Sequence, residues 1–375
     1  MRGNPLLRAF GGVLAGVVAS AILVFAIGSF LSKGRARHRL VPEDASGRLE
    51  RVAIHYTPAM DARAMVVWRQ LFRVLPEGVE VHVAVEKAAD FVRFLANLKV
   101  ARVPHLGRFR QVVVGQPITT WSRDRMASID NDGVLAPPRV SVMSGARAGD
   151  WEAPFAIARE VYGARPQISE LVFEGGDFAA SDRYVFADAN LIGRNLGRGE
   201  ATRAYLEEAV ERTFAQDVVF LGDAQGDVPE HHIMMYMVPL DDRRVLVGDV
   251  RAGKRLLDAE PDGEDLPVDE DLELHARRFD RVAAQLAARG FEVTRVPVVV
   301  LEGAGSYVTY TNALFDRDDD GPVVYLPTYA LPALDEAAAD LYRALGLRVV
   351  PIDLSSLYRL NGSLGCLVNV MSRAR

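Results

Sequence analysis

Asn361-Gly362-Ser363-Leu364-Gly365-Cys366-Leu367-Val368-Asn369-Val370 holds the only cysteine in 375 residues. With no partner in the chain, Cys366 forms no internal disulfide, and a Cys-rich zinc site is excluded. The Gly/Ser bend before it lets other groups come close, and the apolar run after it reads as a strand. A small, soft nucleophile therefore stands at the start of a strand. A lone thiol is also a common inert core residue, so its meaning turns on what the rest of the chain brings to it.

Outward from this stretch the chain repeats a β–α–β cadence. Strands are expected at 51–56, 79–85 and 110–114, with helices at 61–74 and 88–98 between them. Residues 79–85 alternate V-E-V-H-V-A-V, the period-2 pattern of a strand with one buried face. Further strands read at 171–174, 184–187, 218–221, 232–238, 244–247, 292–301, 307–312, 323–326 and 348–352, with helices at 201–213, 272–289 and 334–345. Many short strands among helices indicate an α+β or α/β domain of several similar modules. No repeat is visible in residue identity.

Composition sets the outer bounds. Apolar residues make up 49% and charged residues 25%, enough for a packed core. A formal net charge of −6 lacks the excess of Lys and Arg that a nucleic-acid surface needs. Residues 1–8 form a short tail, and 9–32 carry no charge. At roughly 1.5 Å per residue, that span crosses a hydrocarbon core of about 30 Å. A secretory signal is the competing reading, but its apolar region is shorter, about 7–15 residues. A single-pass membrane anchor is expected, followed by a basic and polar linker over 33–50. Basic residues flank the span on both sides, so the side of the membrane stays open.

Three further stretches carry chemistry-bearing residues at strand ends. Trp121-Ser122-Arg123-Asp124 follows a Gly/Pro turn, and Asp124 is a candidate to hold a cation. Phe173-Glu174-Gly175-Gly176-Asp177 places two glycines between two carboxylates, a tight turn with little bulk. Glu230-His231-His232-Ile233-Met234 leads an apolar strand with histidines. Adjacent residues of a strand face opposite ways, so the two histidines make poor joint ligands for one metal. One of them suits general acid–base work near neutral pH. A thiol and an imidazole together suit nucleophilic catalysis at an electrophilic carbon. Carboxylates around them suit a planar guanidinium, whose N–H donors match carboxylates bidentately.

The order W-x-R-D, F-E-G-G-D, a histidine-led strand and a late G-S-x-x-C resembles the guanidino-group-modifying enzymes: the agmatine, arginine and peptidylarginine deiminases and the amidinotransferases. Supporting pieces are Ile192-Gly193-Arg194-Asn195, Ser306-Tyr307 with Asn312, and Val368-Asn369. The resemblance implies a pentein fold over 51–375, an α/β propeller of five ββαβ modules with pseudo-fivefold symmetry. It implies Cys366 as nucleophile, His232 as general acid/base, and Asp124 and Glu174 as carboxylates gripping the guanidinium. Trp121, Arg123, Asp177, Met234 and Asn312 are expected to line the substrate site. The family's H-x-D reads His232-Ile233-Met234 here, so one expected carboxylate is replaced by a thioether. The implied activity is a deiminase-type C–N hydrolase on a small or peptidic guanidino compound. An amidinotransferase and a membrane-tethered binding protein with lost or altered activity are the alternatives. No metal or organic cofactor is implied.

Overall fold

Strand β1 (Arg48–Tyr56) runs parallel to β2 (Glu80–Val85), which runs parallel to β3 (Phe109–Val113). The helix joining β1 to β2, Ala64–Val74, buries Ala64, Met65, Val67, Trp68, Leu71 and Phe72, the i, i+3, i+4 stripe of an amphipathic helix. Trp68 stacks on Phe72 at 5.6 Å, and Phe72 meets Phe94 and Phe109 edge-on, so an aromatic cluster fixes helix to sheet. These features belong to a computed structural model that describes residues 37–139, 145–197, 201–260, 266–303 and 305–374.

Four more sheets follow. In the second, β4 (Ala127–Ile129) pairs antiparallel with β5 (Gly133–Ala136), and β5 runs parallel to β6 (Gln167–Ile168) after the helix Ala153–Tyr162. The third repeats the order with β7 (Ala179–Ala180), β8 (Tyr184–Asp188) and β9 (Asp217–Leu221). The fourth has β10 (Met237–Pro239), β11 (Arg244–Asp249), β12 (Glu292–Val300) and an added antiparallel β13 (Tyr307–Thr309). The fifth has β14 (Leu314–Asp318), β15 (Gly321–Thr328) and β16 (Arg348–Asp353). The last strand, β17 (Val368–Ala374), returns to pair antiparallel with β1. It gives the first sheet the same order as the others: an antiparallel pair, a helix, then a parallel strand. The module is thus plain in the connectivity although no residue identity repeats.

One expectation changes here. The segment read as a polar linker up to residue 50 is built into the domain. Leu40, Val41, Ala45 and Leu49 are buried, and β1 already begins at Arg48. The polar letters of this stretch misled because Glu43 and Asp44 are themselves buried among partners. The expected anchor at 9–32 lies outside the described residues. No helix among the described residues is long and apolar enough to cross a membrane.

Arg373 on β17 fastens the ring. Its buried guanidinium donates to the carbonyls of Pro42 (2.7 Å), Gly47 (2.9 Å) and Phe315 (2.9 Å). Arg373→Met takes the donor from two buried acceptors, the Gly47 and Phe315 carbonyls, and from the part-buried Pro42 carbonyl. At about 1–3 kcal/mol per orphaned group, the variant is expected to lose roughly 3 kcal/mol or more. The check is a lower denaturant midpoint at unchanged slope.

Candidate active site

Each of the five sheets delivers one site residue from the turn just before its first strand. Asp124 precedes β4, Glu174 precedes β7, His232 precedes β10, Asn312 precedes β14 and Cys366 precedes β17. Tight local turns make this placement. Glu174 leads the 3-10 turn Gly175–Asp177, His232 leads Ile233–Met235, and Cys366 sits inside a one-turn helix, Leu364–Leu367. Cys366 was expected on the strand itself. It lies two residues earlier, with its amide bonded to the Ser363 carbonyl at 3.1 Å.

The thiol is buried and has two neighbours. His232 Nδ1 lies 3.8 Å from Sγ, and Asn312 Nδ2 donates to Sγ at 3.2 Å. Asn312 also donates to Met235 Sδ at 2.9 Å, while its Oδ1 is buried with no partner. Gly365 belongs to this geometry, because a Cβ there would stand 2.4 Å from Asn312 Oδ1. The other ring nitrogen of His232, Nε2, meets Glu174 Oε2 at 3.0 Å. The two glycines after Glu174 permit that contact. A Cβ on Gly176 would lie 2.3 Å from the His232 ring, and one on Gly175 would collide with the Met126 and Arg123 carbonyls.

Glu174 was expected to grip substrate, and its surroundings leave it little freedom to do so. Besides His232 it faces Arg194 at 2.9 Å and Arg125 at 3.2 Å. Burial alone would raise its pKa, but the His232 hydrogen bond and the two guanidinium groups hold it well below the usual carboxylate range. Burial would likewise lower His232. Its contacts with Cys366 and Glu174 and the charge of Asp124 outweigh that and hold it well above the ordinary imidazole value. Both shifts favour a charged His232 paired with a charged Glu174.

Asp124, like Asp177, keeps one carboxylate oxygen buried without a partner. Oδ2 pairs with Arg147, whose Nε also meets Asp150 at 3.0 Å, while the buried Oδ1 has no partner. Burial and the nearby Glu174 charge raise its pKa, against the pull of His232 and Arg147. Arg147 is a resident guanidinium on the acid expected to receive a guanidinium. No motif marks it in the sequence. Arg125 and Arg194 were also missed as site residues, although both lie within or next to quoted motifs.

The expected lining residues divide. Asn312 is at the thiol. Trp121 is half-buried with its ring against Gly362, where a Cβ would stand 2.3 Å from the indole. Arg123 does not face substrate: its side chain is buried against Glu43 and the Phe178 carbonyl (2.9 Å). Asp177 is also structural, accepting from the Glu174 amide at 2.7 Å and pairing with Arg194 at 2.7 Å. Met234 is buried in a 3-10 turn, not on a strand, so the two-residue spacing does not put it on one strand face with His232. Nor do the adjacent histidines point apart. A left-handed backbone at His231 (φ 78°) brings the two rings to 4.2 Å. Glu230, at the head of the same stretch, pairs with Arg278 at 3.3 Å. Among the described residues no group of His, Cys, Asp and Glu could hold a metal ion.

The model of the Porphyromonas-type peptidyl-arginine deiminase family matches residues 55–371. The chain belongs to that family. The match spans all five sheets and every residue of the site just described. An agmatine deiminase from C. jejuni superposes with a TM-score of 0.66 at 16% identity, covering 90% of this chain and 98% of its own. An agmatine deiminase of Enterococcus faecalis gives 0.58 at 12% identity, covering 88% and 95%. Identities this low speak for the shared mixed α/β pentein fold. Comparison with curated protein sequences found no match.

The Glu174–His232 pair makes stability depend on pH in a signed way. His232, raised on folding, contributes fully below about pH 6.5, and the contribution is lost as pH rises through its folded value. Glu174, lowered on folding, contributes fully above about pH 4.5 and loses the contribution as pH falls through its folded value. The stability difference between the wild type and Glu174→Gln should be flat between those values and shrink on both sides, as read from denaturant midpoints at each pH. Gly176→Ala should push the imidazole off Cys366 and Glu174. The His232 ring titration, followed by NMR, then moves back towards pH 6.5.

Proposed function

We propose that the protein is a thiol-dependent hydrolase of the C–N bond in a guanidino compound. The observation that carries this reading is the buried Cys366 between His232 and Asn312, facing a site whose Asp124 keeps one carboxylate oxygen unpartnered. Family membership supports the reaction class. In the proposed course, the guanidinium donates an N–H to Asp124 Oδ1 and the Cys366 thiolate attacks its central carbon. As that carbon–nitrogen bond breaks, His232 gives its proton to the departing nitrogen, which leaves as ammonia. The neutral imidazole then takes a proton from water, whose oxygen adds to the S-linked carbon. The C–S bond breaks and the hydroxyl proton passes to solvent water, returning the thiolate and releasing a neutral ureido product. Glu174 supports the imidazolium in the first half and keeps its ring in place in the second.

The identity of the guanidino compound, whether agmatine, arginine or arginine in a peptide, is the finer part of the proposal. Two observations favour a second reading, a pentein that binds a ligand with weakened turnover. Arg147 already holds one oxygen of Asp124, and Met234 supplies no second acid. A buried guanidinium with one fewer charged partner binds less well, since unpaired buried charge is costly.

The decisive measurement is ammonia release from agmatine, free arginine and arginine peptides by the full chain. Cys366→Ala is expected to abolish it, and Asp124→Asn to lower kcat/KM about 100-fold, or about 2.7 kcal/mol of transition-state binding. Wild-type protein that binds these compounds without releasing ammonia would instead support the second reading.

A further inference from the structure

The N-terminal arm at residues 40–47 does more than fill space. Its backbone is stitched to three of the strands that carry site residues. The Val41 amide donates to Ser128 on β4 at 2.9 Å, and the Glu43 amide donates to Ala180 on β7 at 2.9 Å. Arg373 on β17 holds the carbonyls of Pro42 and Gly47. These are the strands entered through Asp124, Glu174 and Cys366. The arm thus sets the register of three site-bearing strands against one another.

From this arm Glu43 reaches Arg123. The two side chains are 9% and 8% exposed and form a buried ion pair, and Arg123 Nη2 also donates to Phe178 at the start of β7. Arg123 is the residue just before Asp124, and its backbone touches both other turns. Its amide donates to the Cys366 carbonyl at 3.3 Å. Its carbonyl is packed so closely on Gly175 that a Cβ there would approach it to 2.2 Å. One residue therefore contacts the nucleophile's turn and the glutamate's turn through its main chain, while its side chain is fixed by the arm. A buried guanidinium deprived of its carboxylate is strongly unfavourable. Loss of Glu43 would drive Arg123 to move, and the Asp124 loop with it.

We propose that Glu43 is a positioning residue of the site, acting through Arg123 on Asp124 and Cys366. The inference rests on the functional reading above only for its effect on turnover, because its geometric part is read on the thiol itself. The experiment compares full-length wild type, Glu43→Gln and Glu43→Asp by circular dichroism, by alkylation of Cys366 with neutral iodoacetamide, and by ammonia release. In folded Glu43→Gln the buried thiol should alkylate at least fivefold faster, and kcat should fall at least tenfold with KM changed less. Glu43→Asp, which keeps the charge, should restore both to within about threefold of wild type. Where Glu43→Gln fails to fold, the paired Glu43→Leu/Arg123→Met variant removes both buried charges, and the same faster alkylation is expected. Folded Glu43→Gln, or the folded paired variant in its place, whose Cys366 alkylates at the wild-type rate overturns the proposal. Altered alkylation in a protein that releases no ammonia in any form upholds the positioning role and counts against the hydrolase reading alone.

Discussion

The antiparallel pairing of β17 with β1 is the constraint on which the rest depends. It joins the two ends of the described domain and completes the first sheet. The same strand begins two residues after Cys366, so the pairing that closes the fold also positions the thiol. Val52, Ala53 and Ile54 are fully buried at this seam, and Arg373 carries it sideways into the arm and the fifth sheet. Removing any of these contacts disturbs both stability and the position of the thiol.

Within that frame the site is built on exchange of charge among groups taken out of water. Asp124, Glu174 and Asp177 are buried, and each faces a guanidinium belonging to the chain. Such pairs add little net stability, because desolvation offsets most of the attraction. What they contribute is direction. The carboxylate of Glu174 keeps the His232 ring turned so that one nitrogen faces sulfur. Arg147 holds Oδ2 of Asp124 and leaves the buried Oδ1 without a partner.

Much of this was legible in the sequence, and the rest was hidden for physical reasons. Glu174 and Cys366 stood out because tight turns demand small residues beside them: the paired glycines after Glu174 and the Gly-Ser bend before Cys366. The choice of His232 and the role of Asp124 rested on the family resemblance in motif order, since neither has small neighbours. The partners of these residues come from distant stretches and follow no local rule: Arg147 looks like any other arginine, and Glu43 like any solvated acid. The strand reading at 232–238 erred in its first half, where alternation assumes an extended chain. A left-handed His231 followed by a 3-10 turn replaces the alternation with a corner. The repeated module escaped notice because its constraint is the order of strands and helices, which very different residues satisfy.

The single cysteine acquires another meaning from the clasp between β1 and β17. Closing a flexible loop costs about (3/2)RT ln n, so a tenfold longer loop costs only about 2 kcal/mol more. A few strand hydrogen bonds with a buried apolar seam suffice to tie ends that far apart in sequence. The ring therefore needs no covalent staple, and its lone thiol is spared from holding the chain together.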